Sequence, residues 1–255
     1  MNNFFKLPIV GQIIERVDRD TEIFGIQQAM RNLVKTTSTR LEIKGFDNNL
    51  EKILEEKAGV IVANHPYEAE TLALLASLPC RKDLFLIISY VFLHLCPQID
   101  RYLIPVFVRH HRKNIRHVPI LWKMIESLNH IQKFSPEEEH RKNIESLKKA
   151  SLMIQKGGMM IIFPNRRSPD GRWFHGVGHM IKGVGLTKDA YVIKAYIEGT
   201  SDWDYLRLIP YIGKYLPVIK VTFSKPVVFR DIYNEEAKKI TYRLEEDYNR
   251  WVKTL

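Results

Sequence analysis

The chain has 255 residues, 45% of them hydrophobic and 27% charged, which is enough length and apolar content for a sizeable core. Its 13 glycines, 12 prolines and two cysteines exclude collagen-like, Pro/Gly-rich and disulfide-scaffold architectures. Lysine and arginine number 39 against 29 carboxylates, and the net charge of +10 favours an anionic partner: nucleic acid, anionic lipid headgroups or a phosphorylated substrate.

The chain starts MNNFFKLPIVGQIIER, an apolar stretch broken by Pro8, Gly11 and Gln12 with no small-residue cleavage pattern, so it does not read as a signal peptide. Ile9, Ile13, Ile14 and Val17, then Phe24, Met30, Leu33 and Val34, recur at roughly helical spacing and predict one or two amphipathic helices through residue 35. Phe4, Phe5, Leu7, Ile9, Ile13 and Ile14 lie near Lys6 and Arg16, and two uses of that face stay open: contact with a membrane surface, or packing on the core.

Short runs rich in β-branched and aromatic residues follow: GVIVAN (59–64), LFLIIS (84–89), LIPVFV (103–108), MMIIF (159–163), YVIKAYI (191–197) and IKVTF (219–223). They alternate with helical stretches, which predicts an α/β fold: a mixed, partly parallel central sheet flanked by helices, with an N-terminal amphipathic helical extension. The expected division is 1–36 for the extension and 37–255 for the α/β domain. The most apolar run, Leu84 to Cys96, contains Ser89, Tyr90 and His94 and is too short to span a bilayer as a helix. Cys80 and Cys96 have neither CxxC nor Cys/His metal spacing, so free thiols in a reducing, cytoplasmic compartment are expected, with no metal site. Ser135 followed by Pro136 and three glutamates marks a helix start, and Gly157 and Gly158 its stop. The glycines of GRWFHGVGHMIKGVG are read as room for close approach of an acyl chain or phosphate, though no strand leads directly into a Rossmann-type loop and no nucleotide cofactor is expected. A last helix runs from about Glu235 through Ile240, Leu244, Tyr248 and Trp251.

The stretch GVIVANHPYEAETLALLASL is the most informative. A buried strand ends at Asn64, His65 follows, and Pro66 is expected to open a helix, leaving His65 at the C-terminal end of the strand where open α/β sheets place their sites. Glu70 lies five residues on. Nine histidines and 29 acids in 255 residues produce about one such spacing by chance, and the chain holds two. The second, His140 and Glu145, falls inside a continuous helix, where five steps set the side chains about 140° apart and unable to pair. His65 precedes its helix, so Glu70 in the second turn can reach back to one ring nitrogen, fix the tautomer and leave the other nitrogen as a general base toward a hydroxyl. The competing structural reading makes His65 a helix cap with Glu68 as its capping-box partner.

These residues resemble the glycerolphosphate and lysophospholipid acyltransferase superfamily, the PlsC-like enzymes, over roughly residues 40 to 230. NHPYEAE matches the family's Asn-His, four residues, Asp motif with Glu70 in place of the aspartate. LIPVFVRH resembles the second motif, with Pro105 at its usual glycine, and IIFPNRRS the third, one residue shorter and with Asn165 where the family has glutamate. VIKAYIEGT resembles the fourth, with Lys194 at a position usually hydrophobic or proline. The resemblance implies transfer of a fatty acyl group from acyl-CoA or acyl carrier protein, as co-substrate, to a hydroxyl of a lipid acceptor such as lysophosphatidic acid. In it His65 is the base and Glu70 its orienter. Arg109 and His110, together with Arg166, Arg167 and Ser168, would meet the acceptor's phosphate, a task that suits guanidinium forks. Asn165 keeps two alternatives open: a different acceptor, such as an amino-acid lipid or glycolipid, or a catalytically silent lipid-binding member.

The run RHHRKNIRH (109–117) is either a solvated charge face or a contact for acyl-CoA phosphates or anionic lipid. No zinc finger, RNP-type strand or helix-turn-helix accompanies it, so nucleic acid is not an expected partner. The expected location is the cytoplasm, peripheral on an anionic membrane face.

Overall fold

The computed structural model describes residues 8–67, 69–94, 96–107, 134–164, 172–185, 189–231 and 234–255. The N-terminal periodicity resolves into two helices, α1 (Pro8–Phe24) and α2 (Ile26–Thr36), parted at Gly25, whose φ of 85° a side chain would disfavour. After them come β1 (Leu41–Lys44), α3 (Asn48–Glu56), β2 (Ala58–Ala63), α4 (Glu70–Ser77), β3 (Leu84–Ser89), a short α5 (Pro97–Asp100) and β4 (Leu103–Val106). The second half holds α6 (Pro136–Gln155), β5 (Met159–Ile162), α7 (Gly176–Val184), β6 (Ala190–Glu198), β7 (Ile219–Phe223), β8 (Val227–Val228) and α8 (Ala237–Val252). The start of α6 carries a complete capping box, Ser135 and Glu138 each bonding the other's backbone amide.

The expected mixed sheet is present, with strand order β1-β7-β6-β2-β5-β3-β4 and β8 pairing β6. Strands β2 to β6 run parallel, whereas β7 and β8 pair β6 antiparallel and β1 follows β7. Side chains alternate between two apolar layers. Ile61, Ala63, Ile161 and Ile193 face a cluster with Ile13 and Val17 of α1, Ile26 and Met30 of α2, and Leu74 of α4. Val60, Val62, Met160 and Val192 face the opposite cluster with Ile154 of α6, Met180 of α7 and Ile240 and Leu244 of α8. Both faces of the parallel strands are thus covered, which is why they read as continuous apolar runs. Among the described residues no helix is long and apolar enough to cross a membrane.

At the ends of two strands an asparagine side chain takes over from the backbone ladder. Asn143 of α6 holds the backbone of Phe107 from both sides, accepting from its N–H at 2.7 Å and donating to its carbonyl at 2.8 Å, so β4 stops at Val106. The side chain of Asn64 does the equivalent after β2, as described below.

In the glycine-rich stretch after the third motif, Gly178 and Gly183 serve packing. Gly178 sits inside α7, where α8 crosses so closely that an added Cβ would lie 1.9 Å from the Ala237 carbonyl oxygen and 2.5 Å from Thr241 Oγ1. Gly183 likewise faces Ser151 of α6. These glycines leave room for neighbouring helices, which corrects the expectation of a ligand approach. Gly178→Ala should therefore destabilise the fold by about 3 kcal/mol, a fall of roughly 6–12 °C in Tm for a chain of this size. Thermal unfolding followed by circular dichroism checks it, and an unchanged Tm would show that α7 and α8 are not interlocked there.

Candidate functional site

All five parallel strands finish at one end of the sheet, and β2 lies near its centre. All six β2 residues are buried, so the strand runs apolar until Asn64, where a polar side chain replaces the backbone ladder. Asn64 Nδ2 donates to the Ile197 carbonyl at 2.8 Å and the Ile197 N–H donates to Asn64 Oδ1 at 2.8 Å. The amide thus imitates one more rung between β2 and β6 while releasing the main chain to turn. Tyr248 of α8 steadies the rung: its hydroxyl donates to the Ala195 carbonyl at 2.8 Å and reaches Asn64 Oδ1 at 3.4 Å. Burial pushes the Tyr248 phenol up in pKa, so it stays a protonated donor.

His65 is the next residue. Its Nδ1 lies 3.2 Å from Glu70 Oε2, while Glu70 Oε1 accepts from the Tyr67 N–H at 3.1 Å. The carboxylate is sealed from solvent at 0% exposure, whereas the imidazole is 37% exposed. A carboxylate only accepts, so Nδ1 carries the ring proton and the lone pair stays on Nε2. Phe163, directly after β5 on the neighbouring strand, packs its ring against the imidazole with centroids 5.0 Å apart and planes 35° from parallel. The His65 ring is thereby fixed by a hydrogen bond to the Glu70 carboxylate on one edge and an aromatic ring on its face.

The route to that pairing differs from expectation. Pro66 does not open the helix: α4 begins at Glu70, which is its first residue and not part of its second turn. The physical cause is the bond from Tyr67, whose amide is claimed by the Glu70 carboxylate ahead of the first helical residue. No helix starts at residues 65–66, so the capping-box reading fails there; Glu68 itself lies outside the described residues. Glu70 gains from its place at the helix N-terminus, where the dipole favours negative charge. The other His-to-acid spacing behaves as a solvated helix face, with Glu145 paired to Arg141 at 2.8 Å.

Arg109, His110, Arg166, Arg167 and Ser168 lie outside the described residues, as do Asn165 and the rest of the 109–117 run. The chain departs toward 165 from Pro164 after β5, the strand beside β2, and toward 108 from Phe107 after β4. With strands about 4.8 Å apart, the second departure point is about 14 Å across the sheet from β2. There Tyr90 and Phe107 stack with centroids 5.0 Å apart, and Phe134 meets both edge-on. Among the described residues no three His, Cys, Asp or Glu side chains gather as a metal site would require.

Sequence reading passed over three contributors. Asn64 entered as the end of the strand and as a motif letter, and its bracing role follows from a polar side chain placed directly after six buried residues. Tyr248 was identified only as a helix-face residue. Asp204 and Arg207 look like an ordinary i, i+3 surface pair, but both side chains are buried, with Arg207 Nε 2.8 Å from Asp204 Oδ1. Burial raises the Asp204 carboxyl pKa, the charge of Glu70 adds to the rise, and hydrogen bonds from Arg207 and Ser201 oppose it.

The near-isosteric Asn64→Asp keeps the acceptor for Ile197 N–H but sets a second oxygen against the Ile197 carbonyl. It should cost about 2 kcal/mol, roughly 4–8 °C in Tm, measured by thermal unfolding. Wild-type stability in that variant would mean that the added rung contributes nothing.

No protein-family profile matches the sequence, and no curated protein matches it either. Among solved structures, the chain is similar to the crystal structure of the 1-acyl-sn-glycerophosphate (LPA) acyltransferase PlsC from Thermotoga maritima, with a TM-score of 0.51 and 18% identity over 96% of this chain and 88% of that one. At that identity the likeness is one of fold alone, and it extends over nearly the whole of both chains.

Proposed function

We propose that the protein is an acyltransferase that moves an acyl group from a thioester donor, acyl-CoA or acyl carrier protein, to the hydroxyl of a lipid acceptor. The observation that carries the reading is the pairing of a sealed Glu70 with a half-open His65 at the end of the central strand. The shared fold with a PlsC acyltransferase and the four motif resemblances support it.

In this reading His65 Nε2 takes the acceptor's hydroxyl proton as the oxygen attacks the thioester carbonyl. Glu70 holds the Nδ1 proton and stabilises the imidazolium. Collapse of the tetrahedral adduct forms the ester and breaks the carbon–sulfur bond. The imidazolium returns the proton to the leaving sulfur as a free thiol. No serine or cysteine nucleophile is required, and the buried Cys96 is a poor one, since burial and the carboxylates of Asp18 and Asp100 push its thiol up to about 12. Arg109, His110, Arg166, Arg167 and Ser168 are proposed as acceptor-phosphate contacts on the motif resemblance alone. The protein would act from the cytoplasmic side, in peripheral contact with an anionic membrane.

Asn165, at the place of the family's glutamate, favours a second reading with a different acceptor or no turnover. Thiol release from acyl-CoA and acyl carrier protein separates these, measured with lysophosphatidic acid, glycerol 3-phosphate and other lysolipids. Acceptor-dependent release should fall at least about a hundredfold in His65→Ala. Glu70→Gln, whose amide would donate toward Nδ1 and force the wrong tautomer, should lose on the order of 10³-fold in kcat. Silence of the folded wild-type protein across the panel would shift the reading to an acceptor outside it, such as an amino-acid lipid or glycolipid, or to lipid binding without turnover.

A further inference from the structure

The 20-residue excursion from Gly199 to Val218 joins the end of β6 to the start of β7, and so hangs from the same end of the sheet as His65. It leaves β6 two residues after Ile197, the partner of Asn64. Its polarity is inverted. The charged pair Asp204 and Arg207 is turned inward and buried, with Arg207 Nη2 donating to the carbonyls of Gly199 at 3.3 Å and Pro217 at 2.9 Å, which ties the two ends of the excursion together. Three of its four aromatic residues are turned outward: Trp203 is 61% exposed, Tyr211 69% and Tyr215 75%, while Tyr205 is half-buried.

One exposed ring on a protein surface is ordinary; three on one excursion whose interior is an ion pair are not. Buried ion pairs add little stability over apolar packing, so this one is better explained as fixing shape. Tyr211 also sits at φ 67°, a left-handed conformation that a tyrosine rarely adopts. That strain is accepted while the ring stays in solvent, as at sites where geometry is held for function.

We propose that this excursion is a seat for an anionic lipid bilayer, set beside the His65 site. Tryptophan and tyrosine, with an apolar body and a polar tip, are the side chains that settle at a bilayer interface. Exposed cations accompany them: Lys214 Nζ lies 4.9 Å over the Tyr215 ring, and Arg40 holds the Leu216 carbonyl from an exposed position. Asp202 is the exposed acid of the excursion and works against them. The charge of +10 over the whole chain matches anionic headgroups. The seat is anchored to the helical extension, Tyr211 N donating to the Thr36 carbonyl at 3.4 Å and Gly213 N to that of Thr37 at 2.9 Å.

This inference rests on the lipid-acceptor reading for its purpose, but its test does not use turnover. Full-length protein is floated with vesicles of phosphatidylcholine alone and of equimolar phosphatidylcholine and phosphatidylglycerol, with no acyl donor present. Wild type should float with the anionic vesicles, and the combined variant Trp203→Ser, Tyr211→Gly, Tyr215→Ser should bind them at least about tenfold more weakly; the glycine suits the left-handed backbone. Lys214→Glu, a single surface change, should also weaken binding to anionic vesicles by about tenfold. His65→Ala should float as wild type does, so a failed acyltransfer assay leaves this result standing and the reverse holds too. Equal flotation of the ring variant and wild type, or flotation indifferent to phosphatidylglycerol, overturns the proposal.

Discussion

An ionised carboxylate removed from water is destabilised by several kcal/mol unless hydrogen-bond donors meet it, and the arrangement around Glu70 follows from that requirement. One oxygen takes the Tyr67 amide, the other faces His65 Nδ1, and the helix that begins at Glu70 contributes the favourable end of its dipole. Each donor is supplied by the turn between β2 and α4, so the fold of that turn and the orientation of the imidazole are one event. The carboxylate is therefore structural and chemical at once: it shapes the turn that presents the histidine, and it holds the proton that leaves Nε2 basic.

The turn in turn depends on where β2 stops. A strand buried on both faces has no reason of its own to end, since its ladder could run on beside β6. Asn64 ends it by supplying the next rung from a side chain, and Tyr248 reaches across from α8 to the same place. The last helix of the chain is thus connected, through one phenol and one amide, to the position of His65. The Asn143 clamp on Phe107 repeats the device at the edge strand β4, so two exits at this end of the sheet are set by asparagine side chains.

Strands β2 to β7 were legible from their β-branched and apolar content, most plainly β2 and β5, which are buried throughout under helices on both sheet faces. β1 was not: Leu41 is only half-buried and Glu42, Ile43 and Lys44 are exposed, so it carries no apolar signature. β8, two residues long, is below what any pattern can show. The pairing of His65 with Glu70 was legible from spacing, yet its route was not, because proline at a first helical position is a local preference and the bond from Tyr67 to Glu70 overrode it. The glycines of α7 were misread for a related reason. A glycine admits a ligand or a neighbouring helix equally well, and only the position of Ala237 distinguishes the two.

The inverted excursion was not legible at all, since tryptophan, tyrosines and isoleucine within thirteen residues have the composition of a core segment. Its inversion follows from where it is tied. Gly199 and Pro217 offer carbonyls that have left the β6–β7 ladder and still need donors, and the Arg207 guanidinium supplies two from one side chain. A buried guanidinium then demands a carboxylate, which Asp204 provides, and its own burial together with the charge of Glu70 raises the carboxyl pKa. With that interior occupied by charge, only Tyr205 among the four aromatic residues is half-buried. The same constraint that closes the β6–β7 connection therefore turns Trp203, Tyr211 and Tyr215 toward the exterior at the end of the sheet where His65 lies. An exterior that is water would oppose this arrangement, and an apolar phase would favour it.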